Sequence, residues 1–205
     1  QMVLSATRPD GSNAWSKDLT PKTERSGQAD GGGMAAGNGK LFVSTGYGTL
    51  WALDLESGAR IWEQSLLGTG NSQPAYRDGI VYLVSNDATT WAVNAKNGRV
   101  RWQIDGLADA NNATGTTGPA VSKKYVVFGF GSGEVQTAFR KGGLVLWSST
   151  LAGGRAGLSL STIEDIGSTP VISEGRVFAA NSTGRIVALK SVSYTHLRAH
   201  ETEAY

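Results

Sequence analysis

The stretch that decides the fold is "GKLFVSTGYGTLWALDLESGARIWEQSL", which runs from Gly39 to Leu66. Two short runs of alternating and β-branched apolar residues flank the tight turn at Tyr47-Gly48, and a second turn, "LESG", leads into "ARIWEQSL". Runs of this kind, bounded by Gly, Asn and Asp, are typical of β-hairpins. A further strand is predicted in "GNSQPAYRDG", with Pro74 near its start. The stretch therefore predicts a unit of four short strands.

The same pattern recurs along the chain, beginning again at Asp78, at Lys124 and, incompletely, at Glu174. A tryptophan closes each of the first three copies, at intervals of 40 and 45 residues: Trp62, Trp102 and Trp147. A glycine precedes each tryptophan by four residues: Gly58, Gly98 and Gly143. A four-stranded repeat of this length has the size of a propeller blade. We therefore expect the tryptophans to dock one blade on the next, and the glycines to take the left-handed position of a hairpin loop.

The predicted fold is an incomplete all-β propeller of four-stranded antiparallel blades. Residues 1–38 are interpreted as the end of a preceding blade and a connection, and residues 39–190 as consecutive blades of which the last is truncated. The glycine-rich stretch "ADGGGMAAGNG", from Ala29, is interpreted as a flexible connection between blades. An incomplete ring leaves blade edges unpaired, so we expect poor solubility of the isolated chain.

Composition excludes several classes of function. The chain has 205 residues and no cysteine, which excludes disulfides, thiol nucleophiles and cysteine metal sites. The formal charge of +2 comes from scattered lysines and arginines, which argues against a nucleic-acid surface. No histidine occurs before residue 191, so Ser-His and Cys-His pairs and histidine metal ligands are excluded there. We predict no catalytic, cofactor-binding or metal-binding residues.

Both histidines, His196 and His200, lie in "VSYTHLRAHET", which runs from Val192 to Thr202. Reverse-translated in one frame, these eleven residues fit the mosaic end and adapter used in transposase-based library preparation. The fourth repeat also stops after "GRIVALK", before a turn glycine and a tryptophan. We therefore interpret residues 191–205 as a non-native tail derived from adapter sequence.

The repeats resemble those of a known family. "ALDLESGARIW" at Ala52 and "AVNAKNGRVRW" at Ala92 resemble the tryptophan-docking repeat of the PQQ-repeat, quinoprotein-like β-propellers. The third copy, "TAFRKGGLVLW", departs from it at the Ala and Asp positions, and the resemblance covers residues 13–190. Within this fold, the insertion ending in "LSTIEDIGSTPVI", followed by "GRVFAANSTGRIVAL", is similar to the middle blades of the BamB family of outer-membrane protein assembly factors.

This resemblance implies a non-enzymatic scaffold lipoprotein in the bacterial periplasm, held at the outer membrane by an N-terminal lipid anchor missing from this fragment. The implied partner is a periplasmic domain of BamA, the barrel-inserting subunit. The contact loops of the family match two stretches here, one by sequence and one by placement alone. They carry the candidate partner-binding residues Asn112, Thr114, Glu164, Asp165 and Ile166. Gly167 stands where some members have a second acidic residue.

Two other functions remain open. A PQQ-dependent dehydrogenase shares the repeat and would hold its cofactor with Ca²⁺ on the propeller axis. The vicinal cysteine pair of such enzymes is absent here, and no acidic cluster has the spacing of a calcium loop. The third reading is a sensory or interaction propeller of another kind, which flanking sequence would distinguish.

Overall fold

The computed structural model describes residues 2–21, 32–66, 68, 72–106, 117–151, 166–182 and 184–192, together with the backbone of residues 196–200. These ranges contain eighteen β-strands and no helix. Nothing within them has the helical length and hydropathy that a membrane span needs.

The strands form one two-stranded sheet and four four-stranded sheets. The two-stranded sheet consists of β1 (Val3–Thr7) and β2 (Asn13–Asp18). Blade 1 consists of β3 (Gly32–Gly37), β4 (Lys40–Thr45), β5 (Thr49–Asp54) and β6 (Arg60–Ser65). Blade 2 consists of β7 (Ala75–Arg77), β8 (Ile80–Val84), β9 (Thr89–Asn94) and β10 (Val100–Asp105). Blade 3 consists of β11 (Ala120–Val121), β12 (Tyr125–Gly129), β13 (Glu134–Phe139) and β14 (Val145–Thr150). Blade 4 consists of β15 (Val171–Ser173), β16 (Arg176–Ala180), β17 (Ile186–Lys190) and β18 (His196–His200).

Each blade is an antiparallel meander in which strands consecutive along the chain pair with each other. The predicted grouping of strands is wrong by one strand, because "GNSQPAYRDG" supplies β7, the first strand of blade 2, and not the fourth strand of blade 1. The interpretation of the glycine-rich stretch as a flexible connection is wrong for residues 32–37, which form β3.

The first strands of the blades lie side by side around an axis. Strand β3 contacts β7, β7 contacts β11, and β11 contacts β15. A Cβ added to Gly33 would lie 2.3 Å from the Cα of Gln73, and one added to Gly118 would lie 3.0 Å from the carbonyl oxygen of the same residue. The crowding around Gln73 explains why β3 was predicted to be a flexible connection. An inner strand that packs on a neighbouring backbone needs glycine, and glycine hides the alternating pattern by which a strand is recognised.

Both faces of a blade are buried against its neighbours. Phe42 of β4 packs with Leu83 of blade 2, whereas the next residue, Val43, packs with Leu19 beside the two-stranded sheet. In blade 3, Phe128 packs towards blade 2 and Val127 packs towards blade 4. Since successive side chains of a strand point to opposite faces, each blade contributes to two cores. The predicted incomplete propeller is confirmed.

Blade 4 differs from the expectation that it ends before its last strand. The backbone of β18 pairs with β17, and Arg198 lies opposite Ala188. This is the register position at which Trp62 lies opposite Ala52 in blade 1. An edge strand offers unpaired N–H and C=O groups to any extended segment, so this pairing needs no particular side chains. The non-native origin of residues 191–205 stays a prediction.

The crowded axis predicts a large effect from a small substitution. Gly33→Ala places a methyl group against the backbone of Gln73 and is expected to lower the free energy of unfolding by about 1–3 kcal/mol. Urea unfolding monitored by tryptophan fluorescence measures the loss. Gly142→Ala is the matched control, because a Cβ there meets nothing within 4 Å. Equal stability of the two variants would contradict the close approach of β3 and β7.

Candidate partner-binding end of the propeller

The connections between blades all lie at one end of the sheets, which we call the connection end. It is where the chain passes from residue 66 to 72, from 106 to 117 and from 151 to 166. Four of the five candidate partner-binding residues lie outside the described residues: Asn112, Thr114, Glu164 and Asp165. The flanks of their two loops are described, and so is Ile166.

The flanks of the two loops meet at the hairpin between β12 and β13. A Cβ on Gly106 would lie 2.6 Å from the ring of Phe130. Thr117 Oγ1 donates a hydrogen bond to the carbonyl oxygen of Gly129 at 3.5 Å, and the N–H of Ile166 donates to the carbonyl oxygen of Phe130 at 3.3 Å. We call these five residues the Phe130 junction. It holds residues 106 and 117, which flank the first loop, and residue 166, which follows the second, against one turn.

Ile166 is the one candidate partner-binding residue that the structure describes. Its side chain is fully buried and packs in the core between blades 3 and 4, with Val127, Leu151 and Val177. Its backbone forms an antiparallel bridge with Asn181. The second isoleucine of "IEDIGSTP" thus packs into this core, and its side chain anchors the end of the loop.

Buried polar side chains brace the same region. The side-chain amide of Asn181 donates to the carbonyl oxygen of Leu151 at 3.4 Å and accepts a hydrogen bond from the N–H of Arg185 at 2.9 Å. Glu134, at the start of β13, is buried and accepts a hydrogen bond from the hydroxyl of Ser148. The Asn181 contact ties the end of β14 to the hairpin of blade 4, and the Glu134 contact joins β13 to β14 within blade 3.

The three tryptophans predicted to dock blades, and Trp15 as a fourth, donate their indole N–H to a backbone carbonyl oxygen of the next blade. The four donor–acceptor pairs are Trp15 to Leu55 at 3.2 Å, Trp62 to Ala95 at 3.1 Å, Trp102 to Arg140 at 3.1 Å and Trp147 to Ser191 at 3.2 Å. Sequence reasoning found the indoles and missed the acceptors, since a backbone carbonyl leaves no mark on residue type.

The glycines that precede the tryptophans receive the indole of the preceding blade. A Cβ on Gly98 would lie 2.8 Å from the ring of Trp62, and one on Gly143 would lie 2.8 Å from the ring of Trp102. Gly58 stands in the same relation to Trp15, at 2.5 Å. All three glycines have left-handed φ angles, of +68°, +74° and +72° in chain order. Glycine is therefore required twice, by the backbone conformation and by the ring that covers it.

An ion pair between a buried arginine and an exposed aspartate joins blades 2 and 3. Arg140 Nη1 lies 2.8 Å from Asp78 Oδ2, and the hydroxyl of Tyr82 donates to the carbonyl oxygen of Arg140 at 3.2 Å. Burial raises the pKa of Tyr82 to about 12. No sequence motif indicated this group, because its members come from three different turns and strands. Among the described residues, no three His, Asp or Glu side chains are grouped closely enough to hold a metal ion.

Four-stranded blades joined by tryptophans on their outer strands define a quinoprotein-like β-propeller. The family model described as outer membrane protein assembly factor BamB matches residues 1–203, and the chain belongs to that family. The BamB of Moranella endobia is 25% identical over 193 residues, which cover 92% of this chain and 50% of the relative. The chain spans about half the length of the curated relatives it matches.

Solved structures agree on the fold. The crystal structure of BamB from Moraxella catarrhalis has a TM-score of 0.79 at 18% identity, covering 96% of this chain and 58% of that one. The quinohemoprotein alcohol dehydrogenase ADHIIG of Pseudomonas putida HK5 has a TM-score of 0.67 at 16% identity, covering 82% and 33%. At these identities the likeness is one of fold, and it extends to a BamB and to an alcohol dehydrogenase alike.

The docking geometry predicts different results for two left-handed glycines. Gly79 has a φ of +78° and no atom within 4 Å of an added Cβ, so Gly79→Ala carries only the backbone penalty, about 1–2 kcal/mol. Gly98→Ala carries the same penalty and also displaces the Trp62 ring, which adds about 1–3 kcal/mol. Urea unfolding of both variants measures the difference. Equal losses would mean that the ring contact contributes nothing.

Tyr82 predicts an alkaline loss of stability. Its pKa is about 12 in the folded chain against an ordinary value of 10.0, so the unfolded chain loses the phenol proton first. The contribution of the protonated Tyr82 phenol to the free energy of unfolding is fully present below pH 10 and is lost as pH rises towards 12. Tyr82→Phe is expected to be about 1 kcal/mol less stable at neutral pH, through loss of its hydrogen bond, but to lose less on raising the pH. If the difference in unfolding free energy between the wild type and Tyr82→Phe stayed the same from pH 9 to about pH 11.5, this prediction would be contradicted.

Proposed function

We propose that the chain is part of a non-enzymatic scaffold of the outer-membrane β-barrel assembly machinery. It binds a periplasmic domain of the barrel-inserting subunit, BamA, through loops at its connection end. The observation that carries this proposal is membership of the BamB family across residues 1–203. The relatives in that family are named as outer membrane protein assembly factors.

The Phe130 junction supports the choice of the connection end. Both faces of each inner sheet are buried against neighbouring blades, so the surface accessible to a partner lies mainly at the ends of the blades. The junction brings the flanks of the loop carrying Asn112 and Thr114 next to the end of the loop carrying Glu164 and Asp165. Two loops held at one turn make a composite surface, which a protein domain can cover at once.

The proposed location follows from the same family. We place the protein in the bacterial periplasm, associated with the outer membrane through an N-terminal lipid anchor on the longer protein. The partner is a soluble domain on the periplasmic side, which suits a propeller that presents loops rather than a membrane-embedded surface.

A PQQ-dependent dehydrogenase is the alternative from another class. Its support is the fold shared with quinohemoprotein alcohol dehydrogenase, at 16% identity. No contact among the described residues favours it. It remains an outcome of the test below, through an assay of alcohol oxidation with added PQQ and Ca²⁺.

The test is the affinity of the full-length protein for the purified periplasmic domains of BamA from the same organism. Reversal of one charge in the acidic loop, Asp165→Lys, is expected to weaken binding about tenfold, equivalent to about 1.4 kcal/mol. Surface plasmon resonance at two salt concentrations measures affinity and its electrostatic part, and the effect of the substitution should shrink at high salt.

Glu56→Lys is the matched control. It makes the same change from an acidic to a basic side chain in the exposed β5–β6 turn, at the opposite end of the blades, and is expected to leave binding unchanged. Equal weakening by both variants would move the contact away from the connection end. Absence of binding together with PQQ-dependent oxidation would replace the scaffold by the enzyme.

A further inference from the structure

A cavity of about 430 Å³ opens between blades 1 and 2, at the end of the propeller opposite the connection end. Its wall is formed by the stacked rings of Phe42 and Tyr76, whose centroids are 5.4 Å apart. Lys40 and Lys96 also line it, and Ala95 lies on the blade 2 side. This volume lies within the usual range for small-molecule sites.

We call the interface between two successive blades a seam. In the seam between blades 2 and 3, the space equivalent to this cavity is filled by a side chain. The indole of Trp62 donates to Ala95, and the indole of Trp102 donates to Arg140, so Ala95 and Arg140 occupy equivalent positions in successive blades. Between blades 2 and 3 the Arg140 side chain is buried and reaches Asp78. Between blades 1 and 2 the equivalent residue is an alanine, and its short side chain leaves the space open.

The charged groups around the two equivalent spaces also differ. The turn residue Asp78, which receives Arg140, is replaced by Asn38, and both residues have similar left-handed φ angles, +47° and +51°. Ile80, the first residue of β8, is replaced by Lys40, the first residue of β4. The seam between blades 1 and 2 thus lacks both members of the Arg140–Asp78 pair and gains one ammonium group, that of Lys40.

The lining therefore favours an anion over a cation. Lys40 stands opposite Asp54 in the pairing of β4 with β5, which balances part of its charge. Lys96 is exposed at the mouth, and no carboxylate lines the cavity. Two ammonium groups and the Asn38 amide can bind a carboxylate, while the half-buried ring of Tyr76, which stacks on the fully buried Phe42, receives an apolar group.

We propose that this cavity binds a carboxylate carried on an apolar body of about the size of one aromatic ring. Such a group has two sources, a free organic acid and an acidic side chain of a peptide. The site is independent of the partner contact proposed above, because it lies at the other end of the blades. Loss of one leaves the other intact.

The first test compares two probes of the same shape, 3-phenylpropionate and its neutral amide, 3-phenylpropionamide. Titration of the full-length protein, followed by NMR, is expected to show binding of the acid and at least about threefold weaker binding of the amide. Lys40→Ile and Lys96→Ala should each weaken binding of 3-phenylpropionate about threefold. Lys141→Ala is the control, since Lys141 follows Arg140 as Lys96 follows Ala95.

A second test fills the cavity with the kind of ion pair that fills the seam between blades 2 and 3. The double variant Ala95→Arg with Asn38→Asp recreates the Arg140–Asp78 pair in the equivalent space, on a backbone that already has the required φ at residue 38. We expect at least about a tenfold loss of acid binding, with binding of the BamA domains unchanged. The lysine variants provide the same test if the double variant does not fold.

The source of the carboxylate is separated by a third probe, N-acetyl-Phe-Glu-amide, whose only carboxylate is on the side chain. Binding of this peptide in preference to 3-phenylpropionate identifies a peptide ligand, and the reverse identifies a free acid. The proposal is overturned if neither probe binds, if acid and amide bind equally, or if the filled variant and the Lys40→Ile variant bind as the wild type does.

Discussion

Each inner blade of this chain is apolar on both faces, and the rest of the structure follows from the need to bury both. A sheet with one apolar face can rest on a single layer, but Phe42 and Val43, adjacent in one strand, belong to two different cores. Blades must then stack in series, each serving as the cover of the next. Stacking around an axis crowds the first strands, which is why Gly33 meets the backbone of Gln73. It also leaves the ends of the blades as the surfaces free for binding.

The tryptophans convert this stacking into a fixed geometry. Apolar burial has no direction, so two sheets could slide across each other at little loss. An indole that donates to one carbonyl and lies over one glycine fixes both the distance and the offset of neighbouring blades, as Trp62 does with Ala95 and Gly98. A flat ring over a glycine also tolerates different side chains elsewhere in the turn, which lets successive blades vary without changing their spacing.

The parts of the structure that were predicted from sequence are those set by short-range pattern. The alternation in "GKLFVSTGYGTLWALDL" and the regular tryptophans were enough to predict four-stranded blades. The first strand of blade 1 was missed, because Gly33 packs on backbone and leaves no apolar signal. The burial of Ile166 was also missed, since this residue follows two acidic residues in the sequence and only the fold brings it into a core. The Arg140–Asp78 pair joins residues 62 positions apart, beyond the reach of any local pattern.

The repeat allows function to be sought in departures from equivalence. Where a position is set by blade geometry, successive blades keep the same kind of residue, as the glycines under the indoles do. Where a position changes character while the backbone stays the same, geometry does not explain the choice. Ala95 and Arg140 accept the same indole bond, yet one leaves a cavity and the other fills it with charge. The Arg140 side chain fills the equivalent space between blades 2 and 3, so the fold does not require a cavity at this position. Its presence between blades 1 and 2 therefore argues for an occupant.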